Sequence, residues 1–153
     1  ANELRNYDTI YLFLFLLTIV VFTDIGGYIF GKLLKGPKIT NISPNKTYAG
    51  VFGGIILSLI SGTIYFNHFS HELNIITSMS LFKISINDNL SFFLLIILIS
   101  TISQIGDFII SYFKRLSKLK DTGQILPGHG GLLDRIDGLI FATPIFYLLI
   151  IFK

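Results

Sequence analysis

The chain has 153 residues, of which 52% are apolar and 14% charged, with a formal net charge of +3 and a mean hydropathy of +0.71. Soluble domains carry about a quarter charged residues. A water-soluble core of this size has no room for so much Leu, Ile and Phe without large apolar patches outside, and the same composition excludes a disordered chain. With no cysteine there is neither a disulfide framework nor a thiolate metal site.

The composition therefore predicts an integral membrane protein, an all-α polytopic helix bundle in one membrane-embedded domain over residues 1–153. Four apolar runs approach the roughly 20 residues a bilayer core requires: residues 10–30, 48–66, 90–110 and 136–152. The first contains an apolar block of signal-peptide length. Its flank carries Glu3 and Asp8 beside Arg5, and no small-residue cleavage site follows, so it is assigned as a span. No internal repeat is visible.

The connections differ sharply in charge. Residues 31–47 hold Lys32, Lys35, Lys38 and Lys46, and residues 111–135 hold Lys114, Arg115, Lys118, Lys120 and Arg135. Nine of the twelve Lys and Arg thus fall in two connections, whereas 67–89 carries Lys83 alone. Positive charge marks the cytoplasmic side, which predicts both basic loops inside, and both termini and the 67–89 loop outside. That outer loop has room for an interfacial strand or short helix; His68 and His71 within it are read as structurally bland.

Two acids lie inside predicted spans, Asp24 in the first and Asp107 in the third. An ionisable group at membrane depth costs a few kcal/mol and usually faces a polar interior with a function. Asp107 belongs to a helical stripe with Ser100, Ser103, Ser111 and Lys114 at steps of three and four. Serines alone would suit interhelical hydrogen bonding; the carboxylate on the same face points to a site. Asp24 shares a face with Gly27, Tyr28 and Gly31, a pattern that also suits a close helix-packing seam.

Beyond the third span come Lys120-Asp121, then Leu126-Pro127-Gly128-His129-Gly130-Gly131, then Asp134-Arg135-Ile136-Asp137-Gly138. The Pro and Gly cluster breaks any helix and offers backbone N–H groups to an anion. Asp134 and Asp137 share a face if the fourth helix has begun. Carboxylates, hydroxyls and cations this dense beside a membrane suit a hard cation and phosphate groups. His129, with no second His or Cys nearby, reads as a hydrogen-bonding residue rather than a metal ligand. On the other basic connection, Ser43 precedes Pro44, and Lys46-Thr47 at the mouth of a helix suits a phosphate. Taken alone, that second signal has little specificity.

The 27-residue stretch from Ser111 to Asp137, with Lys114-Arg115, Lys120-Asp121, Pro127-Gly128-His129-Gly130-Gly131 and Asp134-Arg135-Ile136-Asp137, resembles the signature of the phosphatidate cytidylyltransferases (CDP-diacylglycerol synthases). Gly106-Asp107, Asp24, Gly31-Lys32 and Ser43–Thr47 match that family's other segments, although Ala49 stands where many members carry an acid. Family members are usually longer on the N-terminal side, so the resemblance implies the catalytic C-terminal portion. It further implies transfer of CMP from CTP to phosphatidic acid, giving CDP-diacylglycerol and pyrophosphate. Mg2+ is the implied cofactor, held by Asp107 and Asp134, with Asp137 and Asp24 as further candidates; a second cation such as K+ is also a candidate. Lys114, Arg115 and Arg135 would hold phosphates and Ser111 would donate a hydrogen bond. Lys32, Ser43, Lys46, Thr47, Lys120, Asp121, His129, Gly130 and Gly131 are the implied substrate-binding residues. The implied setting is the inner (cytoplasmic) membrane with the active site towards the cytoplasm, among membrane lipids, as a homodimer and with no nucleic acid partner.

The sequence leaves three alternatives. A related CTP-using lipid enzyme, such as a polyprenol kinase or CDP-archaeol synthase, shares the chemistry. The Asp134–Gly138 run also resembles CDP-alcohol phosphotransferases, but their two further downstream acids are missing. A cation transporter or channel would use intramembrane Asp residues too; the inverted repeats that would favour it are not visible.

The charge asymmetry generates a topology test. Single cysteines introduced near Lys38 or Lys118, in a chain that has none of its own, should resist labelling from outside intact cells, whereas cysteines in 67–89 should be labelled. The reverse pattern would invert the assignment.

Overall fold

The structure, a computed structural model, describes residues 2–39, 46–69, 89–118 and 133–151, with side chains described over 10–39, 46–69, 90–118 and 136–149. The described residues form four helices: α1 (Asn2–Leu34), α2 (Tyr48–Phe69), α3 (Asn89–Leu116) and α4 (Leu133–Ile151). Three contain apolar stretches long enough to cross a membrane, Ile10–Leu34, Tyr48–Phe69 and Leu90–Leu116. The fourth predicted span falls on α4, whose described apolar segment covers Ile136–Leu149. Its first turn is taken up by charged residues, and Pro144 interrupts its hydrogen-bond ladder.

The helices also run further than their apolar cores. α1 continues to Leu34 and α3 to Leu116, so Lys32, Ser111, Lys114 and Arg115 stand on helical turns rather than in loops. The predicted strand or short helix falls largely in 70–88, outside the described residues.

Lipid tails provide no hydrophobic drive for helix association, so membrane helices pack through small residues that let backbones approach. The α1–α2 pair follows this rule. The buried face of α2 reads Gly50, Gly53, Gly54, Ser58, Ser61 and Gly62. A β-carbon on Gly26 of α1 would lie 2.6 Å from the Gly53 carbonyl oxygen and 2.9 Å from the Gly54 Cα. These contacts, with Gly31 near Thr47 at one end and Tyr65 bonded to Tyr11 at the other, make the pair antiparallel. Two further glycines act as notches: Gly106 of α3 receives Phe141 of α4, and Gly138 of α4 receives Ser103 of α3. The late part of α3, at Asp107, meets the start of α4 at Gly138, while its early residues Phe92, Ile96 and Ile99 share the core with Ala142 and Phe146 further along α4, so these two helices are antiparallel as well.

The bundle is polarised along its axis. At one end Leu12, Phe15, Leu16, Ile19 and Val20 of α1 pack with Phe92, Ile96 and Ile99 of α3 and with Ala142 and Phe146 of α4. An aromatic cluster surrounds this core, with Phe15, Tyr65, Phe66, Phe69 and Phe92 in ring contact, and the Tyr65 hydroxyl donates to the Tyr11 carbonyl at 3.1 Å. Aromatic residues with one polar end suit a membrane–water interface. At the other end the same helices carry hydroxyls, an amide and carboxylates.

The α1–α2 connection is pinned at its base. Ile39 donates its backbone N–H to Lys46 at 3.0 Å, Tyr48 donates to Pro37 at 3.2 Å, and Lys35 leaves α1 with φ 44°, the left-handed exit typical of helix ends. Thr47 caps α2, its Oγ1 accepting from the Gly50 N–H at 3.1 Å. That cap orients Lys46, the residue before it.

Two glycines one position apart test the packing account. Gly26→Ala should lower the melting temperature in detergent, by an overpacking cost of about 1–3 kcal/mol. Gly27→Ala meets only the Gly50 carbonyl at 3.7 Å and should be neutral or slightly stabilising, since alanine is the better helix former.

Candidate active site at the polar end of the bundle

All four helices contribute to a cavity of about 760 Å³ at the polar end. Thr23, Asp24, Gly27 and Tyr28 line it from α1, Lys46, Thr47, Gly50 and Val51 from the start of α2, Gln104, Asp107, Phe108 and Ser111 from α3, and Asp137 from α4. Residues separated by more than a hundred positions therefore share one space.

Its electrostatic centre is a group of three carboxylates around one ammonium. The Lys46 Nζ lies 3.4 Å from Asp107 Oδ2 and 4.3 Å from the centre of the Phe108 ring. Asp24 and Asp137 are the other charged neighbours of Asp107. Among the described residues lining the cavity, Lys46 is the one cation, so it cannot neutralise all three acids. Asp137 Oδ1 accepts the backbone N–H of Gly138 at 3.1 Å, which ties that carboxylate to the start of α4. The second oxygen of Asp107, Oδ1, and Ser103 Oγ one turn before it are buried, and neither has a hydrogen-bond partner among the described residues. Both face Gly138, where a β-carbon would strike Ser103 Oγ and lie 3.0 Å from Asp107 Oδ1. A buried carboxylate oxygen without a donor is costly and marks a place for a cation or donor.

A layer of hydrogen bonds supports this centre from below. Thr23 Oγ1 lies 3.0 Å from Ser100 Oγ across α1 and α3, and Gln104 Nε2 reaches the Val51 carbonyl and Ser100 Oγ, both at 3.4 Å. Gly54 gives this layer its room, since a β-carbon there would sit 2.8 Å from the Thr23 carbonyl oxygen and 3.1 Å from Gln104 Nε2.

Of the residues singled out from sequence, Asp24, Lys46, Thr47, Asp107, Ser111 and Asp137 line the cavity. The polar stripe of α3 divides in two: Ser100 makes an interhelical bond, whereas Asp107 and Ser111 face the cavity. Lys32 does not line it; its Nζ lies 3.4 Å from the Tyr28 hydroxyl and over that ring. Lys114 and Arg115 lie on the last turn of α3, away from the lining. Asp134 and Arg135 lie on the first turn of α4, one turn from Asp137 or nearly so, and their side chains are outside the described residues. Ser43, Lys120, Asp121, His129, Gly130 and Gly131 also lie outside the described residues.

Sequence reasoning missed Gln104, Thr23 and Phe108. Gln104 was detectable: it lies four residues after Ser100 and three before Asp107, next to the stripe. Phe108 carried no signal, because a phenylalanine in an apolar span looks like any lipid-facing residue.

The donor set fits a hard divalent cation. Mg2+ is usually held by one or two carboxylates, with water and substrate oxygens completing its shell. Among the described residues, no three His, Asp or Glu side chains lie close enough together to hold a metal ion by themselves.

Comparison with known proteins identifies the relatives. The profile of the cytidylyltransferase family matches residues 4–152. The phosphatidate cytidylyltransferase of Staphylococcus haemolyticus (strain JCSC1435) is 40% identical over 146 residues, covering 94% of this chain and 50% of that protein. The phosphatidate cytidylyltransferase of Staphylococcus epidermidis (strain ATCC 12228 / FDA PCI 1200) is 41% identical over 140 residues, or 90% of this chain and 48% of that protein. That of Staphylococcus aureus (strain COL) is 38% identical over 141 residues, with the same coverage. The chain spans about half the length of the curated relatives it matches.

The hydrogen-bond layer yields a signed stability test. Thr23→Val deletes a buried interhelical bond and should destabilise by about 0.5–1.5 kcal/mol. Ser103→Ala deletes a hydroxyl that has no partner among the described residues and should leave the melting temperature unchanged or raise it. A clear loss on Ser103→Ala would show that the hydroxyl is bonded.

Proposed function

The chain belongs to the cytidylyltransferase family, and from that premise we propose that it forms the catalytic part of a phosphatidate cytidylyltransferase. The reaction joins CTP and phosphatidic acid. An oxygen of the lipid phosphate attacks the α-phosphorus of CTP, the bond from that phosphorus to the bridging oxygen breaks, and pyrophosphate leaves with the electron pair. The observation that carries the proposal is the convergence of Asp24, Asp107 and Asp137 with Lys46 in one cavity at the polar end of a membrane bundle.

Phosphoryl-type transfer is mainly positioning and charge neutralisation. No strong base is needed, because the attacking phosphate oxygen is already anionic. Lys46 brings a cation to the cavity, and the N-terminus of α2 directly after it adds backbone N–H groups that favour phosphate. Ser111 offers a hydroxyl from the cavity wall. Lys114, Arg115 and Arg135 are assigned to phosphate groups, and Lys32, Ser43, Thr47, Lys120, Asp121, His129, Gly130 and Gly131 to substrate binding, by their match to the family signature. Asp107 and Asp134 are the proposed Mg2+ ligands, with Asp137 and Asp24 beside them; a second cation such as K+ has the remaining carboxylates available. Bound Mg2+ would supply neutralisation of the phosphate oxygens in the transition state.

The setting is proposed as the inner (cytoplasmic) membrane, with the cavity towards the cytoplasm and the enzyme a homodimer. The orientation is supported by the concentration of Lys32, Lys35, Lys38, Lys46, Lys114, Arg115 and Lys118 at the cavity end. CTP would then enter from water and phosphatidate from the leaflet.

The test is conversion of labelled CTP to labelled CDP-lipid by purified protein with Mg2+ and phosphatidate vesicles. Asp107→Asn and Asp134→Asn should each lower turnover by orders of magnitude while insertion, yield and detergent extraction stay normal. Near wild-type turnover with an unchanged Mg2+ requirement in either variant would remove that carboxylate from the site.

A further inference from the structure

We propose that Lys46 acts as a latch that makes cation binding and anionic-substrate binding depend on each other. The inference rests on the reading of Asp107 as a cation ligand and asks what holds that carboxylate before any ligand arrives.

Lys46 Nζ is 3.4 Å from Asp107 Oδ2 and stacked at 4.3 Å over Phe108, the next residue of α3. The ammonium therefore occupies one oxygen of the carboxylate that a divalent cation would need, and the aromatic face favours its staying there. Asp24 and Asp137 stand nearby, and no other described cation lines the cavity. A divalent cation arriving alone competes with the ammonium for Asp107 and, to take both of its oxygens, must push Lys46 towards Asp24 and Asp137. An anionic phosphate arriving alone meets three carboxylates, and drawing Lys46 to itself strips Asp107 of its counter-charge. When both arrive, the phosphate takes the ammonium and the cation takes the carboxylate, so Lys46 and Asp107 each exchange one counter-ion for another. Each ligand thus removes the obstacle to the other.

The anchoring of Lys46 permits this exchange. Thr47 caps α2 and is buried, which fixes the backbone beside Lys46. The side chain itself is 27% exposed in the cavity and long enough to swing. Binding couplings are reciprocal: whatever factor the nucleotide contributes to cation affinity, the cation returns to nucleotide affinity.

The experiment measures Mn2+ affinity of the purified protein by electron paramagnetic resonance, with and without a saturating non-reactive CTP analogue. Wild-type protein should bind Mn2+ at least about ten-fold more tightly with the analogue, within the usual range of such couplings. Lys46→Met should bind Mn2+ more tightly than wild type when the analogue is absent, and the analogue should then add much less. Direct ligation of Mn2+ by the phosphates persists in both proteins, so the latch is the part of the coupling that the variant loses. If Lys46 is only a static positive charge, the variant will gain affinity equally with and without analogue, leaving the coupling unchanged; that result overturns the latch. Absence of coupling in the wild type overturns it as well, even if the variant fails to fold. Asp107→Asn separates the two readings: undiminished Mn2+ binding there refutes the cation-ligand assignment itself, whereas lost binding with unchanged Lys46→Met coupling refutes the latch alone.

Discussion

A carboxylate inside a membrane-spanning helix must be compensated, and here three of them share a single described lysine. That imbalance organises the polar half of the molecule. It explains why Lys46, from a connection between helices, is drawn onto α3, and why one oxygen of Asp107 remains buried without a partner among the described residues. In hydrocarbon such a group is tolerated only where it faces an interior cavity and serves a purpose. The cavity and its excess of negative charge are therefore one feature, and any anion entering it needs cations beside it.

The rest of the fold serves to place that centre. With no hydrophobic drive between helices, close approach depends on small residues, and the glycines of α1 and α2 bring the Asp24 and Lys46 segments together. Gly138 does the same between α3 and α4, setting Asp137 beside Asp107. The aromatic and aliphatic core lies at the opposite end, where nothing polar needs accommodating. Stability and chemistry are thus separated along the helix axis, and substitutions at the two ends should be felt differently.

Intermediate between them is the hydrogen-bonded layer of Thr23, Ser100 and Gln104. Each of these would be expensive in hydrocarbon alone, and each finds its partner on another helix or on its own turn. The layer fixes the register of α1, α2 and α3 directly beneath the carboxylates. Ser103, in the same stripe, has no such partner, which shows how narrow the difference is between a structural hydroxyl and one left facing the site.

Much was legible in the residues alone. Apolar run lengths predicted the helical membrane bundle, the two intramembrane acids predicted a polar interior, and the step of three and four on α3 assigned Asp107 and Ser111 to one face. The family signature was visible from Ser111 to Asp137 because its residue types and spacings are individually rare in apolar chains. Periodicity, however, assigns a residue to a face of its own helix without saying which neighbour that face meets. Only the tertiary structure brought Lys46 to Asp107 and Asp24 to Asp137, turned Thr47 into a helix cap, and put Gln104 and Phe108 in the cavity wall. Those contacts depend on how deeply each glycine notch lets the next backbone approach, a property of two helices together that neither sequence segment carries by itself.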